Sequence, residues 1–198
     1  QSASRLGAAF AGTTAAADDA TTLFFNPAGL NHLQRPEAII VASGVNISSE
    51  FRTEGSQPAL LQPLGGDGGN AGGWNFVPSA YLAAPVNERV AVGVGVNAPF
   101  GLVTDYDSGW IGRYQALKSE IKTLNVNPSI AWWFNERFSI GAGVSYQRLQ
   151  AELTNAVNYS AVVAQGVQQL VALGQLPAAA APGVIGADAR PDGRARLR

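Results

Sequence analysis

The chain has 198 residues, a formal net charge of -1, 46% hydrophobic residues and no cysteine. This near-neutral charge provides no basic surface for nucleic acid. No stretch approaches the roughly eighteen consecutive apolar residues that a membrane-spanning helix needs, so the composition excludes spanning by helices. The absence of cysteine is compatible with an exported protein that has no disulfides.

The first zone of the chain, residues 1–36, is rich in Ala, Gly, Thr and Asn. Its most apolar cluster, Leu23-Phe24-Phe25, runs directly into Asn26-Pro27-Ala28. This pattern predicts a short helix around Ala15–Phe25. The helix is expected to end at Asn26, because a residue that precedes proline is driven out of helical geometry.

The second zone, from Glu37 to about Asn155, is predicted to form strands with alternating long and short connections. The five predicted strands are Ala38–Phe51, Trp74–Ala84, Val90–Asn97, Ile121–Phe134 and Phe138–Ala151. The short connections are Pro85–Arg89 and Asn135–Arg137, and the long ones are Arg52–Gly73 and Ala98–Glu120. Short turns on one side and long loops on the other are typical of an outer-membrane β-barrel.

A repeated hairpin is the most informative pattern in this zone, since Asn75–Val96 and Asn125–Val144 follow one plan. In each, a tight Asn-Glu-Arg turn is followed by strict alternation of mostly large apolar residues with Gly, Ala or Ser. A soluble antiparallel sheet usually alternates apolar residues with solvating ones. An apolar face opposite a small one favours a transmembrane strand, and a soluble β-sandwich is the alternative.

The alternation also predicts which side chains share a face of the sheet. The residues expected to point outward are Ile39, Val41, Val45, Ile47, Phe51, Val90, Val92, Val94 and Val96. Those expected to point inward are Ala42, Gly44, Gly93 and Gly95.

Aromatic residues cluster just before the second short turn, at Trp132-Trp133-Phe134. An aromatic girdle is expected at the membrane boundary of a barrel. Packing of the Trp pair in a protein core is the alternative, and the sequence leaves the choice open.

The third zone, Ala156–Arg198, has a different pattern. Tyr159–Leu173 has apolar residues at mostly helical spacing and is predicted to be an amphipathic helix. The segment after Pro177 is predicted to have no regular structure, and the helix before it to be weakly packed. Since membrane barrels need about eight strands, five cannot close one. The sequence therefore predicts that further strands lie beyond Arg198.

An ordered set of short motifs resembles the FadL-type outer-membrane transporters for long-chain fatty acids and other hydrophobic compounds. The set comprises Gly7–Gly12, Ala15–Ala20, Asn26-Pro27-Ala28, Val45–Ser48, Val77-Pro78, Ala84–Asn87 and Phe100-Gly101-Leu102. The resemblance implies a fourteen-stranded transmembrane barrel in the outer membrane of a Gram-negative bacterium. Residues 1–36 would be its N-terminal hatch, 37–155 its first five strands, and 156–198 a truncated, helical extracellular loop.

The resemblance also implies positions for a transport path. Asn26, Pro27 and Ala28 would be the hatch motif nearest the lumenal obstruction. Asn97, Ala98, Pro99, Phe100 and Gly101 would form a lateral opening in the third strand. Pro99 lacks an N–H for a ladder, although it would equally suit the plain end of a strand. Val163, Val167, Leu170 and Val171 would line an outer hydrophobic groove.

The implied function is passive transport of fatty acids or aromatic hydrocarbons, without a cofactor, by a barrel that is monomeric when complete. Cargo would leave the outer lipid and lipopolysaccharide for the groove, displace the hatch and exit sideways. A fatty-acid carboxylate would favour lumenal cations, and the candidates are Arg52, Arg113, Lys118 and Lys122. The alternatives are a structural or adhesive barrel and a lipid hydrolase using His32, although no nucleophile motif accompanies that residue.

Overall fold

The computed structural model describes residues 2–58, 62–135, 137–187 and 193–197. Its main feature is one antiparallel sheet, accompanied by short helices. The chain is organised in two compact units. The first contains Gln1–Asn46, Trp74–Gly101 and Ile121–Gln150, and the second contains Ile47–Gly73, Leu102–Glu120 and Ala151–Arg198.

The N-terminal segment has less helix than the sequence predicts. The helix α1 covers only Thr22–Phe25, so the predicted start at Ala15 is wrong. The Asp19 carboxylate accepts hydrogen bonds from the backbone N–H and the hydroxyl of Thr21, at 2.9 and 2.5 Å. Such local side-chain bonds compete with helix formation. The predicted break is confirmed, since Asn26 is extended with φ -155° and ψ 95°, and a 3-10 helix follows at Pro27–His32.

Eight strands are present in the described residues. They are β1 Glu37–Ile47, β2 Gly73–Asn87, β3 Val90–Asn97, β4 Gly101–Asp105, β5 Lys118–Asn135, β6 Phe138–Gly143, β7 Tyr146–Val157 and β8 Gly193–Leu197. The strand order is β1-β2-β3-β5-β7-β8, and β4 and β6 also pair with β5. The predicted strand Phe138–Ala151 is thus divided into β6 and β7, while β3 has the predicted bounds.

Asparagine side chains close both predicted hairpin turns. The Asn87 Oδ1 atom accepts hydrogen bonds from the backbone N–H groups of Arg89 and Val90, both at 2.9 Å. The Asn135 Oδ1 atom does the same for Arg137 and Phe138, at 2.9 and 3.1 Å. The two asparagines therefore make the same pair of side-chain hydrogen bonds, as expected of asparagine in a tight turn.

The wall strands of the first unit separate large exposed residues from small or polar buried ones. In β5 the outer row is apolar and includes Leu124, Val126, Pro128, Ile130, Trp132 and Phe134. The inner row includes Thr123, Asn125, Asn127, Ser129 and Ala131. In β3 the same division places Val92 and Val96 outside and buries Ala91 and Gly95. The predicted orientation of β3 is therefore confirmed.

The predicted orientation of β1 is wrong. Ile40 is 85% exposed and Val41 only 6% exposed, so the odd-numbered residues in the first half of the strand turn inward. Ile39 packs against the core of the first unit, which includes Leu23, Leu30 and Tyr81. The run Ile39-Ile40-Val41 is apolar on both faces, and period-two alternation cannot determine the orientation of such a run.

The aromatic cluster before the second turn lies at the surface. Trp132 is 53% exposed and Phe134 56%, and their rings stack with centroids 5.1 Å apart. Packing of the Trp pair in a core is therefore wrong for Trp132. The position suits a membrane-boundary girdle.

The second unit contains the helices α2 Tyr159–Ala172 and α3 Ala181–Ala187. The predicted helix from Tyr159 is confirmed, but one stripe of it is buried, at Ser160, Ala164 and Val167, so the expectation of weak packing is wrong. The prediction that no regular structure follows Pro177 is also wrong, because α3 forms and β8 pairs with β7. No helix in the described ranges is long and apolar enough to cross a membrane.

Candidate functional site

The Asn26-Pro27-Ala28 turn is held by hydrogen bonds of the Asn26 side chain. The Asn26 Oδ1 atom accepts from the backbone N–H of Ala28 at 3.2 Å. The Nδ2 atom donates to the Thr14 carbonyl oxygen at 2.9 Å. Pro27 suits the first turn of a helix, where its missing N–H costs no hydrogen bond. The three residues thus form one tethered turn at the start of the 3-10 helix.

This turn lies directly against the wall strand β6 at Gly141. A Cβ atom placed on Gly141 would lie 2.2 Å from the Ala28 nitrogen and 2.6 Å from the Pro27 carbonyl carbon. No side chain fits such a gap, so only glycine allows the backbone of the turn to approach this closely. We call Gly141 and the turn Asn26–Ala28 the hatch seat.

A second contact joins the N-terminal segment to β3 through Leu23, which is 1% exposed. A Cβ on Gly93 would lie 2.5 Å from the Leu23 Cδ1 atom, and one on Gly95 would lie 3.0 Å from its Cδ2 atom. Gly93 and Gly95 of the first hairpin and Gly141 of the second therefore accommodate the N-terminal segment. The sequence shows that these positions are small, but a single chain gives no sign of which neighbour fills the space.

The acidic pair of the N-terminal segment, Asp18 and Asp19, has structural partners. The Arg5 guanidinium forms an ion pair with the Asp18 carboxylate. Asp19 accepts from Thr21, as described above, and from the Ser4 hydroxyl at 3.2 Å. Within the described ranges no cluster of three or more His, Cys, Asp or Glu side chains forms a potential metal site. His32 is exposed at the end of the 3-10 helix.

The predicted lateral opening coincides with an interruption between β3 and β4. β3 ends at Asn97, β4 begins at Gly101, and Ala98–Phe100 between them belong to neither strand. Thr123 of β5 binds the end of this segment, because its hydroxyl accepts from the Phe100 N–H at 2.9 Å and donates to the Phe100 carbonyl oxygen at 2.7 Å. The backbone N–H of Thr123 also donates to that oxygen, at 3.1 Å. The interruption is therefore short and anchored.

Two asparagines lie on the inner face beside the interruption. Asn97 is 1% exposed and faces Asn125 across the β3–β5 ladder, and Asn125 is 7% exposed. The Asn125 Nδ2 atom donates to the Asn97 Oδ1 atom at 3.5 Å. Asn125 and Thr123 were absent from the predicted site, since neither forms a motif in the sequence. Both residues share the inner row of a predicted strand, and this position could have indicated that they face the lumen.

The residues predicted to line an outer groove do not share one open face of α2. Val167 is 4% exposed, whereas Leu170 is 42% exposed. Val163 and Val171 are half-buried. The N-terminus of the helix is capped by Asn158, whose Oδ1 atom accepts from the Ala161 N–H at 2.9 Å. The exposed aliphatic side chains are instead Val162 and Leu170 of α2 and Leu173 at its C-cap.

Two of the candidate cations bind neighbouring groups of the second unit. Arg113 is 4% exposed and donates to the carbonyl oxygens of Trp110 and Pro63, at 3.2 and 3.1 Å. Lys118 pairs with Glu120 at 2.7 Å and with Glu152 at 3.5 Å. These contacts connect loops and strands of the second unit. They leave neither group as a free cation for a carboxylate ligand.

An antiparallel wall with an apolar outer face, small inner residues and a polypeptide segment packed against the inner face is typical of the class of plugged outer-membrane barrels. Residues 1–188 match the family described as "Outer membrane protein transport protein (OMPP1/FadL/TodX)", and the chain belongs to this family. The predicted family, β-barrel fold class and outer-membrane location in a Gram-negative bacterium are thereby confirmed. The family consists of transport proteins and not of enzymes.

Individual relatives agree with this assignment. The chain is 30% identical over 190 residues to "Outer membrane protein P1" of Haemophilus influenzae, covering 89% of this chain and 41% of that protein. It is 30% identical over 153 residues to "Long-chain fatty acid transport protein" of Escherichia coli, covering 76% and 33%. The crystal structure of a Pseudomonas aeruginosa FadL homologue superposes with a TM-score of 0.68 at 27% identity, covering 79% and 38%. The chain thus spans about two fifths or less of the length of these relatives.

Proposed function

We propose that the protein transports long-chain fatty acids or similar hydrophobic molecules passively across the outer membrane, and that cargo leaves sideways through the wall. Curated relatives carry the name long-chain fatty acid transport protein. The single structural observation that supports lateral exit is the interruption at Ala98–Phe100 between β3 and β4. Pro99 has no N–H to donate to a neighbouring strand, so the interruption follows from the sequence itself.

The hatch seat supports a role for the N-terminal segment in this path. The turn Asn26–Ala28 touches β6 at Gly141, and Leu23 touches β3 at Gly93. Both contacts lie on the inner row of wall residues, where a diffusing molecule would have to pass. Cargo can displace the hatch only if it binds the displaced arrangement more tightly than the seated one.

We assign the capture of cargo outside the membrane to the surface of α2. Its exposed Val162, Leu170 and Leu173 offer apolar area to a molecule that leaves the lipid and lipopolysaccharide. Burial of an alkyl chain there would gain about 25 cal/mol per Å². The complete barrel would act as a monomer, because one lumen and one wall opening suffice for this path.

Uptake of radiolabelled fatty acid tests the lateral exit directly. We expect uptake to fall in a variant lacking Asn26–Ala28 and in Gly101→Val, because a β-branched residue favours a continuous strand. A Cβ at Gly101 would lie 4.0 Å from the Ile121 carbonyl oxygen, at ordinary contact distance, so alanine fits at this position. Gly101→Ala is the matched control and should retain uptake.

The state of the barrel is measured in parallel by heat-modifiability on a gel. A hatch that only fills space would tolerate the deletion or leak more, whereas a hatch that couples binding to exit would transport less. Normal uptake by properly folded versions of both variants would overturn the lateral-exit proposal.

A further inference from the structure

The register of the β3–β5 ladder indicates how an uninterrupted wall would continue past the end of β3. Asn97, the last residue of β3, is paired with Asn125 of β5. In an antiparallel ladder, one strand advances by two residues while the other goes back by two. A continuous strand would therefore place Pro99 opposite Thr123.

Pro99 would fall at a hydrogen-bonded position of this ladder. Beside the first pair of the ladder, the Trp133 N–H donates to the Arg89 carbonyl oxygen at 2.8 Å. Hydrogen-bonded pairs recur at every second residue of an antiparallel ladder, so the same alternation reaches Pro99 and Thr123. Since proline has no N–H, a continuous strand would lack one hydrogen bond at this position.

Thr123 instead binds Phe100, one residue beyond the position that the register predicts. Its backbone N–H donates to the Phe100 carbonyl oxygen at 3.1 Å. Its hydroxyl accepts from the Phe100 N–H at 2.9 Å and donates to the same carbonyl oxygen at 2.7 Å. Thr123 thus binds both backbone groups of Phe100. A displacement of one residue is the mark of a β-bulge, which bends a strand and redirects its side chains.

The hydroxyl of Thr123 favours this displaced arrangement over a continuous strand. Thr123 is 6% exposed and belongs to the inner row of β5. In a regular ladder such a side chain stands perpendicular to the sheet and does not bond to the backbone of the paired strand. The Phe100 side chain is 65% exposed, so packing does little to fix this residue. The two hydroxyl bonds therefore hold Phe100 in place.

We propose that Thr123 is the positioning residue of the wall opening, whose hydroxyl keeps Phe100 out of the ladder and the opening wide enough for cargo that carries rings or branches. This inference rests on the proposed lateral exit and adds the residue that maintains the exit. Without the hydroxyl, Phe100 can move toward β5 and narrow the opening. A narrower opening obstructs a wide molecule more than a single alkyl chain.

Uptake of a narrow and a wide probe tests the proposal in the complete membrane protein. Cells receive radiolabelled dodecanoic acid or its radiolabelled pyrene-tagged analogue, and initial rates are compared with cells that lack the protein. Thr123→Val keeps the shape of the side chain and removes the hydroxyl. We expect the ratio of tagged to untagged uptake to fall about tenfold, the size expected for the loss of a net hydrogen bond. Thr123→Ser keeps the hydroxyl and should keep the ratio.

Ser129→Ala is the matched control, because it removes a buried hydroxyl from the same inner row of β5. That hydroxyl donates to the Asn127 Oδ1 atom at 2.6 Å, away from the interruption, so the ratio should be unchanged. Thr123→Ala also lacks the hydroxyl, and it replaces Thr123→Val if heat-modifiability shows poor assembly of the latter.

Hydrogen exchange of peptides that contain Phe100 measures the release of this residue directly. The Phe100 amide loses its hydrogen-bond acceptor in Thr123→Val, and its exchange should become about tenfold faster. Thr123→Ser should exchange at the rate of the unchanged protein. Equal exchange rates in Thr123→Val and the unchanged protein would show that the hydroxyl does not hold Phe100, and would overturn the inference.

The uptake outcomes separate this inference from the function on which it rests. Faster exchange with an unchanged uptake ratio, or with an equal loss of both probes, would make Thr123 a structural residue and overturn the inference. If the unchanged protein raises uptake of the untagged acid alone, the opening is not held wide and the inference is wrong, while transport stands. If it raises uptake of neither probe, the proposed transport fails, and the inference fails with it.

Discussion

The two faces of the wall strands in the first unit obey different packing rules. On the inner face, Gly93, Gly95 and Gly141 leave space that Leu23 and the hatch turn occupy. On the outer face, side chains such as Ile130 and Trp132 remain about half exposed, at 50% and 53%. We therefore expect the inner face to reject larger side chains and the outer face to reject polar ones. Each expectation can be tested with a substitution that the opposite face would tolerate.

A charge in the middle of the outer row should have the largest effect. Ile130 lies near the centre of the apolar outer row of β5 and is half exposed, as expected of a lipid-facing side chain. Ile130→Arg should reduce the free energy of unfolding by about 2–4 kcal/mol, because an arginine near the bilayer midplane loses its hydration. Unfolding by guanidinium in lipid vesicles measures this loss. Phe134→Arg, beside the turn, is the control and should cost about 0–1 kcal/mol. Equal losses would contradict a depth-dependent outer rule.

A single methyl group at the hatch seat should have the next largest effect. Gly141→Ala places a Cβ 2.2 Å from the Ala28 nitrogen, and backbone atoms must shift to relieve the overlap. Overpacking of this kind typically costs about 1–3 kcal/mol. Thermal unfolding in detergent, compared with Gly101→Ala at an open position, measures the difference. An unchanged melting temperature in Gly141→Ala would show that the turn does not rest on β6.

The contact of Leu23 with β3 should appear as coupling between two substitutions. Gly93→Ala brings a Cβ within 2.5 Å of the Leu23 Cδ1 atom and 2.9 Å of the Leu82 carbonyl oxygen. Leu23→Ala removes the first overlap but not the second. A double-mutant cycle on the free energy of unfolding should therefore give a favourable coupling of about 1 kcal/mol. Strict additivity of the two changes would argue against a direct contact.

The smallest effect is expected at Gly95. A Cβ there would lie 3.0 Å from Leu23 and 3.1 Å from Tyr81, and both neighbours are side chains. Since side chains yield more readily than backbone, Gly95→Ala should cost less than about 1 kcal/mol. A loss in thermal stability as large as that of Gly141→Ala would show that the inner rule depends on total volume and not on backbone proximity.

Local patterns in the sequence predicted those parts of the fold that local chemistry determines. Strict alternation predicted β3 and its orientation, helical spacing predicted α2, and Pro27 predicted the extended Asn26. The orientation of β1 was not predictable, because Ile39-Ile40-Val41 has apolar residues on both faces. These outcomes show that a period-two pattern carries information only where its two rows differ in character.

Features that depend on distant partners could not be predicted. After Pro177 only Gly193–Leu197 alternates, in a run too short to predict a strand by itself, and β8 forms there because it pairs with β7. Motifs from the family resemblance named Asn97–Gly101 and Asn26–Ala28 as site residues, and those roles stay predictions. The inner-row position of Thr123 and Asn125 could be predicted from alternation, but the neighbours of these residues and of Gly141 required the folded structure.

The asparagine side chains at the two short turns have a consequence for the order of assembly. Their hydrogen bonds join residues at most three apart in sequence, at Asn87–Val90 and Asn135–Phe138. Closing so short a loop costs little chain entropy, and hairpins of this kind form in about 1–10 microseconds. Both hairpins can therefore exist before distant strands meet. The N-terminal segment touches both hairpins, at Gly93 and Gly141, so its final docking has to await the pairing of β3 with β5.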